Sequence, residues 1–420
     1  MLSHVRYQHR VTQPTTLLYY YTTTTLLLHY YSRTTTLFYS ISSTTTTSTT
    51  TPSSTTTSTT TPSNSSTSTS MCRFMIYKGR ETMMLSDLLT RPAHSIINQS
   101  FDSRLRLDMR NPINGDGFGV GYYRTSSEPC VFKAITPAWN NVNLNSLSNC
   151  TESDLVFAHV RASTQGVLSE TNCHPFSYGR LMFMHNGAVS AFARLKRTLL
   201  NHIDDRFLLF IQGSTDSECC CALFLDTLHK MGYDPEDPAT QFGHAVLRTA
   251  LLTTVRLLRE WQTELTSEPS LLNFAVTDGE SVVVCRYITS RTDEAASLHF
   301  STGSRFFEYE PGLFKMERLN RSQDVVFVAS EPLTFERGDW TCVPTNTVIS
   351  ITKNNTVLMH PIEDEFYDAH AERSEGLALS KGLMGGVPKS TRTRAEGAVE
   401  QTVSHLPPLE REGRVPGLAA

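Results

Sequence analysis

From residue 72 to about 362, apolar residues recur in two rhythms, one alternating and one helical, arranged in blocks. Residues 72–77 alternate like a half-buried strand and stop at Gly79, a turn signal. Residues 85–89 predict a short helix. Residues 120–123, 155–160 and 181–184 predict short strands, each bounded by Gly, Asn or His. Two longer stretches, 217–231 and 240–266, carry apolar residues at helical spacing. Strand patterning returns at 272–276, 281–287, 325–329 and 347–351. Grouped strands with long helices between them, rather than strict βαβ alternation, predict an α+β layered fold.

Composition divides the 420 residues unevenly. Residues 1–70 contain no Asp or Glu, three Arg (Arg6, Arg10, Arg33) and long Thr/Ser runs. Such a stretch buries too little apolar surface to offset its ordering entropy, so residues 1–71 are expected to be a disordered extension. Three readings of it stand: a repeat ahead of a true start at Met71, which is preferred; a transit peptide; or a glycosylated stalk. The second domain is expected to span 72–363, ample for one large core. Residues 364–420, with few large apolar side chains, are expected to form a disordered tail.

The whole chain carries −4 and the extension +3, leaving −7 for the rest, a balance that gives no hint of a nucleic-acid partner. The apolar patches of the extension are split by threonines and too short to span a membrane. Nine cysteines, none in CxxC spacing, suggest neither a disulfide framework nor a zinc site, and so a reducing compartment, the cytoplasm, with the mitochondrion second if the extension is real.

Cys72 directly follows Met71. A cysteine at a mature N-terminus keeps a free α-amine, with a reference pKa of about 7.7–8.0, that can serve as base for its own thiol. Within a chain the same nitrogen is an amide and accepts no proton. The glycine-rich segment from Asn114 to Tyr123 invites comparison with a dinucleotide loop, but it leads into a strand-like run, so a tight turn is the better reading. Arg161 follows a buried-looking strand, where it could grip a carboxylate or form a structural ion pair. Asn186-Gly187 reads as a turn, or as a side-chain amide beside a backbone N–H, the pair an oxyanion needs. Thr215-Asp216-Ser217-Glu218 opens a helix, as caps or as a carboxylate aimed at an ammonium. His159, His174 and His185 lack metal-ligand spacing and read as structural.

As an ordered set these motifs resemble the class II glutamine amidotransferases: Met71-Cys72-Arg73-Phe74, the Asn114–Tyr123 segment, Phe157 through Thr164, Asn172 through Phe176, Phe183 through Gly187 and Thr215 through Glu218. The resemblance continues through Ala329-Ser330-Glu331-Pro332-Leu333-Thr334 and Trp340 to Pro344. It implies the four-layer αββα sandwich of the N-terminal-nucleophile hydrolases and needs no cofactor or metal. It makes Cys72 the nucleophile and its α-amine the base. Arg161 would hold the α-carboxylate of a γ-glutamyl group, Asp216 its ammonium, with Thr164 also at the substrate. Asn186 and the Gly187 N–H would form the oxyanion hole. Ala162 and Gln165 depart from the aromatic residue and histidine usual in synthetase-linked members, which implies a wider acceptor side.

The chain lacks the synthetase, isomerase and phosphoribosyl-transferase motifs of ammonia-channelling members. It looks most like stand-alone relatives, the amidotransferase subunit of the fungal glutathione-degrading complex and the γ-glutamyl hydrolase of the ergothioneine pathway. The first implies hydrolysis of glutathione to glutamate and cysteinylglycine beside a metallopeptidase-like partner subunit. A γ-glutamyl hydrolase of an ergothioneine-like pathway or a simple glutaminase is the alternative, and a γ-glutamyl-binding subunit without catalysis is the reading if residues 1–71 are retained.

Overall fold

The structure, a computed structural model, describes residues 72–105, 113–162, 167–319 and 323–385. The extension 1–71 and residues 386–420 of the expected tail lie outside them.

Along the chain come β1 (Arg73–Met84), helices α1 (Leu85–Leu89) and α2 (Ile96–Gln99), and the hairpin β2 (Phe118–Tyr122) and β3 (Cys130–Ala134). Helix α3 (Val142–Ser148) precedes β4 (Glu152–Val160), β5 (Phe176–Tyr178) and β6 (Leu181–Ala188). A helical block follows: α4 (Phe192–His202), α5 (Asp205–Leu208), α6 (Asp216–Lys230) and α7 (Gly243–Thr263). Then come β7 (Leu271–Thr277), β8 (Val282–Arg286), β9 (His299–Gly303), β10 (Arg305–Glu310) and β11 (Leu313–Glu317). The last elements are β12 (Val325–Ala329), β13 (Thr341–Cys342), β14 (Thr347–Ile351), β15 (Val357–Pro361) and α8 (Gly376–Ser380).

One sheet runs β13-β9-β12-β1-β4-β2-β3 and the other β15-β14-β8-β7-β6-β5, with β10 and β11 as a separate ribbon. Successive side chains of a strand point to opposite faces, so each sheet has two apolar faces to cover. Phe74 and Ile76 of β1 share a core with Met182 and Met184 of β6 and Val282 and Val284 of β8, which packs the sheets face to face. Met75 and Tyr77 point the other way, toward Leu85, Leu88 and Ile96 of the small helices. Phe183 and Phe274 of the second sheet meet Leu223, Phe224 and Leu251 of α6 and α7. The result is helix, sheet, sheet, helix, the expected αββα order.

The predicted strands and both long helices are present, most with shifted ends, while 85–89, 325–329 and 347–351 match their predicted bounds. Helix α4 was not predicted: only Leu195 and Leu199 of its eleven residues are buried, too thin a stripe to register as a pattern. The tail expectation needs correcting for residues 364–385. Asp364 accepts from Tyr287 and Arg259, Ser374 forms a bridge with Asp293, and α8 buries Ala378. Leu383 and Met384 close a small core with Leu271 and Ile288. A few apolar residues suffice here because they fill a hollow already walled by other elements, a fact that composition alone does not carry.

Candidate active site

Cys72 stands one residue before β1, whose register pairs Arg73 with Val160. One step further, Cys72 faces Arg161. Cys72 shares parity with Phe74 and Ile76, so its side chain belongs to the space between the sheets. The thiol is half-buried and donates to the Ala162 carbonyl at 3.6 Å. Burial pushes it up to about 11; the Ala162 backbone and the Arg161 charge pull it down, while Asp216 pushes it up. The thiol therefore feels both charged residues singled out in the sequence.

Arg161 is buried at the end of β4. Its N–H donates to Gly117 O at 2.8 Å, Asp116 N–H donates to its carbonyl at 3.1 Å, and its guanidinium reaches Asp116 O at 3.4 Å. Gly117 has φ of +106°, and a Cβ there would sit 2.8 Å from Ala134 O. The glycine segment is thus a turn feeding β2 and bracing Arg161, not a dinucleotide loop.

Asn186 projects from β6 on the parity of Met182 and Met184, into the same inter-sheet space. Its Nδ2 donates to Ser330 Oγ at 3.0 Å, and Ser330 Oγ also accepts from Phe74 N at 3.1 Å. Ser330 therefore links the strand that follows Cys72 to Asn186. At Gly187 a Cβ would lie 1.9 Å from Leu271 O, so only glycine lets β7 pass this close.

Asp216 is the first residue of α6 and half-buried; Thr215 is the cap, accepting from Glu218 N. Asp216 Oδ2 accepts from Val189 N at 2.9 Å, and Oδ1 from Ser217 N at 2.8 Å and Ser217 Oγ at 3.3 Å. A carboxylate has about four acceptor positions, so Oδ2 keeps capacity for a further donor. Ser217 Oγ in turn lies 2.9 Å from His185 Nδ1. Thr164 lies outside the described residues.

The three histidines form a buried structural group. The His159 and His174 rings lie 4.1 Å apart, His185 N donates to His174 Nδ1 at 3.3 Å, and His185 Nε2 meets Leu271 O at 3.0 Å. Burial lowers all three, His159 to about 3, so they are neutral near pH 7. Among the described residues no group of three or more His, Cys, Asp or Glu could hold a metal ion. The cysteines of α6 are buried, and burial pushes the Cys219 thiol up to about 12.

Sequence reasoning assigned no role to Ser330, Glu331 or Asn114. Arg73 points away from Cys72, by parity, and pairs with Glu331 at 2.5 Å and with Asn114 Oδ1. The available signal was the alternation of β12, which sends Ser330 inward with Val328 and Glu331 outward with Ala329.

The sequence profile of the class-II glutamine amidotransferases matches residues 85–374. The chain belongs to this family. A probable glutamine amidotransferase of Saccharomyces cerevisiae, DUG3, is 64% identical over 356 residues, covering 82% of this chain and 97% of that protein. A solved glutamine aminotransferase class-II domain protein from Silicibacter pomeroyi is 23% identical, with a TM-score of 0.46, covering 70% of this chain and all of that one. Class-II amidotransferases are enzymes that act on amide bonds.

Proposed function

We propose that this amidotransferase hydrolyses γ-glutamyl amides through Cys72 once the Met71–Cys72 bond has been opened. The observation that carries the reading is the placement of the thiol, opposite Arg161, within reach of the Asp216 charge and in the same inter-sheet space as Asn186. Arg161 binds the α-carboxylate of the glutamyl head, Asp216 its ammonium, and Thr164 adds a substrate contact. The freed α-amine takes the thiol proton, and the thiolate attacks the γ-carbonyl. The oxyanion rests on the Asn186 amide and the Gly187 N–H. The ammonium then returns the proton to the leaving amine, and water activated by the same amine cleaves the thioester, releasing glutamate.

The substrate proposed is glutathione, leaving cysteinylglycine, in a cytoplasmic complex with a metallopeptidase-like subunit. Glutamine is the alternative. This rests on the resemblance to stand-alone members and on the 64% identity with the yeast relative.

A second reading applies to chain that still carries Met71. With the amine locked in a peptide bond and the thiol pushed up to about 11, roughly one molecule in 10⁴ holds a thiolate at pH 7. Such a chain binds γ-glutamyl groups without turning them over. Intact-mass analysis of protein from its native source, paired with glutamate release from glutathione and from glutamine, tests both readings. Activity confined to chain beginning at Cys72, and lost in Cys72→Ser, is expected. Turnover by chain that retains Met71 would overturn the amine's role.

A further inference from the structure

We propose that Ser330 is a positioning residue for the oxyanion site, acting through the Asn186 amide. The proposal rests on the oxyanion reading above and extends it to a residue that does not touch substrate. Ser330 is the first residue after β12 and is 3% exposed. By strand parity its hydroxyl points between the sheets. There it accepts from Phe74 N at 3.1 Å and from Asn186 Nδ2 at 3.0 Å. These two donors occupy both lone pairs of the hydroxyl, so it meets the amide as an acceptor. The NH₂ half of Asn186 is the half held against it. One N–H is spent on Ser330 and the second is left for an incoming oxyanion.

The need for such a holder follows from the other half of the amide. Asn186 Oδ1 is buried and, among the described residues, has no hydrogen-bonding partner, so none of them fixes the side-chain torsion from that side. Without Ser330 the amide can rotate or exchange its ends, and Oδ1 at the oxyanion position repels where Nδ2 attracts. Because Phe74 lies two residues from Cys72, one hydroxyl ties the nucleophile's strand in one sheet to the oxyanion donor in the other.

Ser330 is itself fixed through both its backbone N–H and its carbonyl. Its N–H donates to Phe74 O at 3.0 Å, and its carbonyl lies 2.8 Å from the Ser297 hydroxyl. That hydroxyl accepts from Gly385 N at 2.9 Å, in the strap formed by residues 376–385. The strap lies beyond the family match, which stops at 374. It is thus a buttress supplied by this chain's own C-terminal segment.

The test uses the matured protein, with its partner subunit where turnover requires it, and measures kcat and KM for glutamate release. Ser330→Ala is expected to lower kcat about 10- to 100-fold, short of the 10²–10³ lost with an oxyanion donor, and to leave KM within about twofold. Ser330→Thr and Ser330→Val have the same shape and differ in the hydroxyl, so packing cancels between them. Thr is expected to retain kcat and Val to match Ala. In an Asn186→Ala background, Ser330→Ala should cost nothing further. Equal kcat for Thr and Val, or an undiminished Ser330→Ala effect on top of Asn186→Ala, overturns the proposal. Were Asn186→Ala itself silent, the oxyanion reading and this proposal would fall together. A costly Asn186→Ala beside a silent Ser330→Ala removes only the present one.

Discussion

Arg73 and Glu331 form an ion pair, Nε to Oε1 at 2.5 Å, with both side chains only 3% exposed. Each sits one position after a residue of the site, Arg73 after Cys72 and Glu331 after Ser330. Alternation sends each pair's second member to the outer face of the same sheet, so the ion pair clamps the two strand ends from behind. Ser103 also donates to Glu331, and a Cβ on Gly385 would lie 2.1 Å from Glu331 Cγ.

Removing one charge of this pair should be severe. Burial, the largest single influence, raises the Glu331 carboxyl, but the Arg73 guanidinium, His94 and the Ser103 hydroxyl together outweigh it and hold the group below its ordinary 4.5. Glu331→Gln leaves the Arg73 charge buried and is expected to cost about 3–5 kcal/mol in urea unfolding at pH 7. A depressed carboxyl stabilises above its unfolded value and loses that contribution as pH falls through the folded one. The gap between wild type and Glu331→Gln should therefore narrow below pH 4.5; a gap constant down to pH 3 would contradict the assignment.

The buried histidines predict a second pH effect. Burial lowers His159 to about 3 and His299 to about 4, and it lowers His94, His174 and His185 as well. A histidine depressed on folding stabilises above its unfolded pKa of about 6.5, and that stability drains away as pH falls toward the folded value. Between pH 6.5 and 5 each fully neutral histidine loses about 2 kcal/mol. The urea midpoint should fall between pH 7 and pH 5, and His159→Gln should flatten part of the slope. An unchanged midpoint across that range would exclude the mechanism.

At the substrate side, Arg161→Lys keeps the charge and removes the planar fork. If Arg161 grips the glutamyl carboxylate, KM for glutathione or glutamine should rise about 10- to 100-fold, with a smaller change in kcat. Unchanged KM in steady-state kinetics would return Arg161 to a purely structural role.

The strap is expected to contribute to stability. Leu383 is 5% exposed and closes a core with Leu271 and Ile288. Leu383→Ala should cost about 2–5 kcal/mol, and truncation after residue 374 should lower Tm further. A truncated chain with the parent Tm would show that the strap merely rests on the surface.

The candidate residues could be picked out in the chain because they sit in short ordered motifs at strand ends and a helix start. Of Cys72, Arg161, Asn186 and Asp216, the structure sets the Cys72 thiol within reach of the Arg161 and Asp216 charges and links its strand to Asn186 through Ser330. The blocks of strand and helix patterning carried the α+β class, while the two-sheet layering was implied only by the family resemblance. The ribbon β10–β11 escaped because it is half-exposed, and β13 because it is two residues long.

What the sequence by itself determined is this set of local facts: residue types, parity and the caps that start helices. Only the tertiary structure decided that Ser330 joins Phe74 to Asn186, that Glu331 meets Arg73 across 258 positions, and that Gly385 reaches the Ser297 hydroxyl beside the Ser330 carbonyl. The reason is physical. Periodicity reports which face a side chain takes, whereas its partner on that face is fixed by how the sheets and the strap pack in three dimensions.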